Sequence, residues 1–152
     1  MTLALRRDDG YELSTDPARL DLAAVHGWLA TDAYWALGRA REVVERAAAG
    51  SVNYGLYAPG GGRQVGYARA VTDGATFAWL CDVYLDRSVR GGGLGRWLVT
   101  AARDHLDGLG VRRIMLATAD AHGLYASVGF APLDDPGRWM QRFRDPPHQQ
   151  GA

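Results

Sequence analysis

The chain has 152 residues and a mass of 16.5 kDa, and its 47% apolar and 22% charged residues exclude a disordered or fibrous protein and fit one domain around one core. Seventeen basic residues, every one an arginine, balance seventeen acidic ones, so the chain as a whole lacks the basic footprint of a nucleic-acid binder. Cys81 is the only cysteine, which excludes an intrachain disulfide.

The predicted elements run as follows. Residues 11–15 form a short opening strand. Asp16 supplies an N-cap and Pro17 a first-turn proline for a helix to about residue 30, with Leu22, Val25 and Leu29 among its apolar positions. Thr31 and Asp32 break it, and the aromatic connection Tyr34-Trp35-Ala36-Leu37-Gly38-Arg39 leads to a second helix over 39–49, stopped by Gly50. Strands at 52–58 and 65–72 flank the turn Pro59-Gly60-Gly61-Gly62, and Asp73-Gly74 marks a two-residue hairpin into the longest strand, 76–86. Leu94, Trp97, Leu98, Ala101 and Leu106 then recur at helical spacing. Residues 113–118 read as a strand buried on both faces, followed by a short helix over 119–128, a strand entered through Gly129-Phe130, and a last strand over 138–143. The order β-α-α-β-β-β-α-β-α-β-β describes one mixed α/β domain over residues 1–144, with 145–152 as a frayed, flexible tail.

The first nine residues contain no long apolar run, and no stretch approaches the roughly 18 apolar residues of a membrane span; with the single cysteine, this leads to the expectation of a cytoplasmic protein without membrane or nucleic-acid partners. His26, His105, His122 and His148 are scattered with no pair at i, i+4, so no metal is expected.

The most informative segment is Arg90-Gly91-Gly92-Gly93-Leu94-Gly95-Arg96, between the longest strand and a strong helix. Glycines admit positive φ and close backbone approach, the first helical turn has unpaired N–H groups, and the helix dipole adds partial positive charge. Together these make a site for a phosphate or pyrophosphate. With no lysine the segment is not a P-loop, and no starting glycine completes G-x-G-x-x-G.

Arg90-Gly91-Gly92-Gly93-Leu94-Gly95 resembles the R/Q-x-x-G-x-G/A signature of the GNAT superfamily of N-acetyltransferases. Asp82-Val83-Tyr84-Leu85-Asp86 sits where that family has its fourth strand, and Ala121-His122-Gly123-Leu124-Tyr125-Ala126-Ser127-Val128-Gly129-Phe130 looks like its second motif, A-x-x-x-Y-x-x-x-G-F. The resemblance implies a GNAT-like fold with a splayed central strand pair, and acetyl-CoA as co-substrate. The amides of Gly91, Gly92, Gly93, Leu94 and Gly95, with Arg90 and Arg96, would receive the pyrophosphate, and the backbone of Val83, Tyr84 and Leu85 would pair with the pantetheine arm. Two positions depart from the pattern: Gly92 stands where the family usually has a larger residue, and Thr118 where it often has Asn. Neither removes the backbone amides.

Acetyl transfer needs a held thioester, an unprotonated amine, stabilisation of the oxyanion, and a proton for the leaving thiolate. The resemblance makes Tyr125 the general acid; the alternative is a core tyrosine packed on Phe130. Asp82 is the best candidate for a base or water-positioning group, against a structural ion pair with an arginine, because a carboxylate on a buried strand is costly unless it is paired or functional. Strand alternation sets Leu80, Asp82 and Tyr84 on one face and Cys81, Val83 and Leu85 on the other. On the acceptor side Tyr34 and Trp35 could wall an apolar or cationic group, Arg39 could clamp a carboxylate or phosphate, and His122 lies one helical turn from Tyr125. The expectation is transfer of acetyl to a small-molecule primary amine by direct attack in a ternary complex. A CoA-binding sensor or assembly module with little turnover, and an acyltransferase acting on a protein N-terminus or hydroxyl, are the alternatives. Trp139 belongs to the core or to a homodimer surface.

Overall fold

The computed structural model describes residues 2–144, so the expected tail over 145–152 lies outside the described residues. Six strands form one sheet in chain order: β1 (Ala4–Arg6), β2 (Glu12–Ser14), β3 (Val52–Tyr57), β4 (Gln64–Thr72), β5 (Phe77–Leu85) and β6 (Arg113–Met115). Neighbours are antiparallel except β5 and β6, which are parallel. Helices α1 (Leu22–Asp32) and α2 (Arg41–Ala49) precede β3, α3 (Leu94–Gly108) links β5 to β6, and α4 (His122–Ser127) follows β6. Alternation along β4 sends Tyr67 to one face, where it packs with Val25, Leu29, Val44 and Tyr84, and Ala68 to the other, where Leu98, Val99, Ala102 and Leu106 of α3 close the main core. The sheet is thus the middle of three layers.

Several expectations are corrected. The first helix is split because two aspartates each cap a start: Asp16 Oδ1 accepts from the Ala18 amide at 2.9 Å and begins a single 3₁₀ turn (Pro17–Arg19), and Asp21 Oδ1 accepts from the Ala24 amide at 3.0 Å and begins α1. Asp73-Gly74 is not a two-residue hairpin: Asp73 Oδ1 accepts from the amides of Ala75 and Thr76 at 2.9 and 2.8 Å, making a longer turn over 73–76. An additional strand, β1, precedes the expected opening one. The segment 113–118 contributes only three strand residues, exposed or half-buried at the sheet's edge, rather than a strand buried on both faces. The two final strands do not form; Pro132 and Pro136 withhold ladder donors, and Pro136–Arg138 is a 3₁₀ turn. Without them β5 is fifth of six strands, not central.

Two irregularities in β5 shape the middle of the molecule. Tyr67 faces Tyr84 and Arg69 faces Cys81, so β5 fits three residue steps against two of β4. The extra residue is a β-bulge, and Asp82 within it takes φ +53°, the only positive φ of a non-glycine among the described residues. The bulge reverses the alternation: Leu80, Val83 and Leu85 join the core under α3, while Tyr84 joins the core under α1. The expected grouping of Leu80 with Asp82 and Tyr84 therefore fails. The second irregularity is a splay. β6 pairs with β5 only at Phe77/Arg113, Ala78/Ile114 and Trp79/Met115, and from Leu80 onward that side of β5 has no partner strand among the described residues.

Leu85 ties this strand to α3. Its side chain lies over Gly66 of β4 and 3.5 Å from where a Cβ on Gly95 would stand. A Cβ on Gly66 would meet Leu85 Cδ2 at 2.9 Å and Leu56 Cβ at 3.1 Å. Gly66→Ala is therefore expected to destabilise the protein by about 1–3 kcal/mol through overpacking, read as a lower denaturation midpoint with an unchanged m-value.

Candidate functional site

The splay opens into a cavity of about 470 Å³. One wall is β5 from Trp79 to Val83; the other is the segment leading into α4, with Ala117, Thr118, Asp120, Ala121 and Tyr125; Tyr34, Trp35 and Arg39 of the α1–α2 connection, Arg69 of β4 and Phe143 complete it. Tyr34 bridges the two walls: its hydroxyl accepts from the Ala119 amide at 2.9 Å, and its ring meets Trp35 edge to face at 4.9 Å.

Asp82 is 4% exposed and receives three donors. Trp35 Nε1 donates to Oδ1 at 2.8 Å, and Arg39 Nη1 and Arg69 Nε donate to Oδ2 at 2.9 and 2.6 Å. Burial alone would raise its pKa, but the Arg69 and Arg39 charges outweigh burial and hold the carboxyl below the usual carboxylate range. Cys81, expected to face away from Asp82, lines the same cavity because of the bulge. Burial pushes its thiol up to about 11, as suits a small packing residue rather than a nucleophile.

Tyr125 points into the cavity from α4 and packs edge to face on Phe130 at 5.9 Å. Burial, with smaller contributions from Tyr34 and Asp120, pushes its phenol up to about 12, so it keeps its proton at neutral pH. Thr118 accepts from the Ala121 amide at 3.1 Å and so shapes the entry to α4. The cavity thus gathers Tyr125, Asp82, Val83, Tyr34, Trp35 and Arg39; His122 sits exposed at the start of α4, outside the lining.

The glycine loop lies at the far end of the splayed strand. Gly91 and Gly93 take φ +88° and +81°, and Gly93 is the N-cap of α3. The first rung of that helix runs from the Trp97 amide to Gly93 O at 3.1 Å, leaving the amides of Leu94, Gly95 and Arg96 without a backbone partner among the described residues. No acidic residue occupies the first turn to quench them. Arg90 is turned away: Nε and Nη2 donate to Leu85 O at 3.0 and 2.9 Å, and its guanidinium covers the Tyr84 ring. Tyr84 is itself committed, stacked on Trp28 and donating to Asp32 at 2.6 Å, so only its backbone faces the splay. Asp32 also binds Arg87, and these hydrogen bonds lower its pKa to about 2. Arg96 reaches Ser127 O at 3.4 Å. Sequence reasoning missed Arg7, whose Nη1 donates to Gly92 O at 3.3 Å from the β1–β2 turn.

Arg69, Trp79, Asp120 and Phe143 were likewise not foreseen in the cavity. A signal for Arg69 did exist. It is a lone charge in the otherwise uncharged strand Gln64–Thr72, as Asp82 is in Phe77–Leu85, and two such charges on adjacent strands invite pairing.

Residues 22–130 match the Acetyltransferase (GNAT) family. A Gibberella zeae protein named as an acetyltransferase is 35% identical over 133 residues, 76% of this chain and 75% of that protein. A crystal structure from Xanthomonas campestris, of a protein assigned to the GNAT family, superposes with a TM-score of 0.82 at 41% identity, covering 88% of this chain and 93% of that one. The chloroplastic serotonin N-acetyltransferase 2 of Oryza sativa subsp. japonica is 39% identical over 84 residues, 55% of this chain and 42% of that protein. Among the described residues no helix is long and apolar enough to cross a membrane, and no group of three His, Cys, Asp or Glu side chains could hold a metal ion.

The Asp82 cluster makes a stability prediction. Asp82→Asn leaves two buried guanidinium groups facing no charge and is expected to cost about 3–5 kcal/mol near neutral pH in urea melts. The folded pKa is depressed, so the stabilisation is fully present above the unfolded value of about 3.9 and is lost as pH falls through the lower folded value. The gap between wild type and Asp82→Asn should therefore close in strong acid.

Proposed function

The chain belongs to the GNAT family of acetyltransferases, and from that membership and the splayed cavity we propose that it moves an acetyl group from acetyl-CoA to a primary amine of a small molecule. The reading rests above all on the Tyr125 hydroxyl, protonated at neutral pH and lining the cavity where β5 has lost its partner strand. The unpartnered amides at the start of α3 fit the pyrophosphate of the co-substrate, and the open side of β5 from Leu80 to Leu85 fits its extended arm. The likeness to a plant N-acetyltransferase supports nitrogen as the acceptor atom.

In this mechanism the amine attacks the thioester carbonyl directly. The new C–N bond forms, the C–S bond breaks, and Tyr125 gives its proton to the departing thiolate. The amine's surplus proton leaves to water, and a proton from water restores the Tyr125 phenol, so the cycle releases no net proton. Asp82, held by two guanidinium groups, is a weak base; its part is to fix Trp35, Arg39 and Arg69 around the acceptor. Cys81 forms no acyl intermediate, because its thiol stays protonated.

Two variants test the reading in an assay of free CoA released with a broad set of amines. Tyr125→Phe keeps the ring on Phe130 and removes the proton. It is expected to lower kcat by about 10²-fold, with acetyl-CoA affinity and melting temperature unchanged; a wild-type rate would assign the proton to water. Gly93→Glu puts a side chain at φ +81° and a negative charge against the α3 amides. Calorimetry should give acetyl-CoA binding weakened by more than about tenfold; undiminished binding would move the pyrophosphate elsewhere.

A further inference from the structure

The charges around the cavity do not balance locally. Asp82 is the single carboxylate in contact with two guanidinium groups, Arg39 and Arg69, whose side chains are only 18% and 14% exposed. Arg39 uses Nη1 alone, and Arg69 uses Nε on Asp82 and Nη1 on Ser51 Oγ at 3.2 Å. Among the described residues, Arg39 Nε and Nη2 and Arg69 Nη2 have no protein partner. None is sealed from solvent, since among the described residues the only fully buried side-chain polar atom without a partner is Tyr57 Oη. The cluster therefore carries one surplus positive charge, half out of water, with free donors in a fork on residues that line the cavity. Such a charge is costly until an anion meets it. Trp35 has spent its one polar atom on Asp82 and offers only its ring. The opposite wall carries the reverse charge: Asp120 lines it, near enough to Tyr125 to act on its phenol.

We infer that the acceptor is a zwitterion, an α-amino acid with an apolar or aromatic side chain, its carboxylate on Arg39 and Arg69 and its amine on the Asp120 and Tyr125 side. The inference deepens the acetyl-transfer reading and rests on it. A plain amine would leave the surplus guanidinium unpaired, while an amino acid supplies a planar two-oxygen anion to the fork. The aromatic lining of Tyr34, Trp35 and Trp79 suits an apolar side chain, and about 470 Å³ admits a single residue rather than a folded protein.

The test compares phenylalanine, tryptophan, leucine and methionine with their decarboxylated amines and with phosphoethanolamine, following CoA release from acetyl-CoA. Binding of the same compounds to the full chain is measured by calorimetry without turnover. The expected result is kcat/KM at least tenfold higher for the amino acids, a preference that Arg39→Gln reduces by about 10–100-fold through KM and Arg39→Lys partly restores. Melting temperature and acetyl-CoA affinity report that the variants are folded. Equal or better turnover of the decarboxylated amines, or a preference for phosphoethanolamine, overturns the carboxylate site and leaves acetyl transfer standing. Amino-acid binding that Arg39→Gln abolishes, with no CoA released, upholds the site and overturns the transfer. Neither binding nor release overturns both.

Discussion

A carboxylate leaves water only where other groups take over its hydration, and at Asp82 three donors from two separate parts of the chain do so. Trp35 and Arg39 arrive from the α1–α2 connection, Arg69 from the neighbouring strand, and the bulge turns the Asp82 side chain to meet them. The residues walling the cavity are thus held to one buried atom group. Buried ion clusters are poor sources of net stability, because desolvation consumes most of the attraction, but they penalise alternative arrangements heavily. The cluster's value is positional. It sets an indole face and two guanidinium forks at fixed points around an opening between strands.

The glycine loop is organised by a second set of charges. Asp32, at the last turn of α1, collects Tyr84, Arg87 and Arg90, while Arg7 reaches Gly92 from the sheet's opposite edge. Arginine side chains therefore brace the loop from outside and leave its amides free. This division answers a conflict in the sequence: a triple-glycine run that must offer bare backbone to a ligand cannot also be stiffened by its own side chains. Asp32 and Asp82 lie on opposite ends of the α1–α2 connection's contacts, so the same short segment is fastened to the loop at one end and to the cavity at the other.

Much of this was legible from sequence where the signal was local. The Gly91–Gly95 run, the period of α3 and the long strand β5 all rest on short-range chemistry, and the structure carries each of them. Features that depend on two strands meeting were not legible. The bulge at Asp82 has no sequence mark, since nothing in Phe77–Leu85 suggests an extra residue, and so Cys81 was assigned to the wrong face. The last two strands failed because the apolar residues in 138–143 say nothing about whether an edge waits in register, and Pro132 and Pro136 argue against one. Trp35 was foreseen as a wall of the acceptor site, but its bond to Asp82 needed the fold.

The short pairing of β5 with β6 has a consequence for the protein's behaviour among its neighbours. An open strand edge ordinarily recruits other chains and begins aggregation. Here the bare edge from Leu80 to Val83 lines a cleft rather than the rim of the sheet, and the Tyr34 bond to Ala119 spans the gap. The fold thus keeps a sticky edge recessed and bridged, open to what enters the cleft but not presented along the outer margin of the sheet.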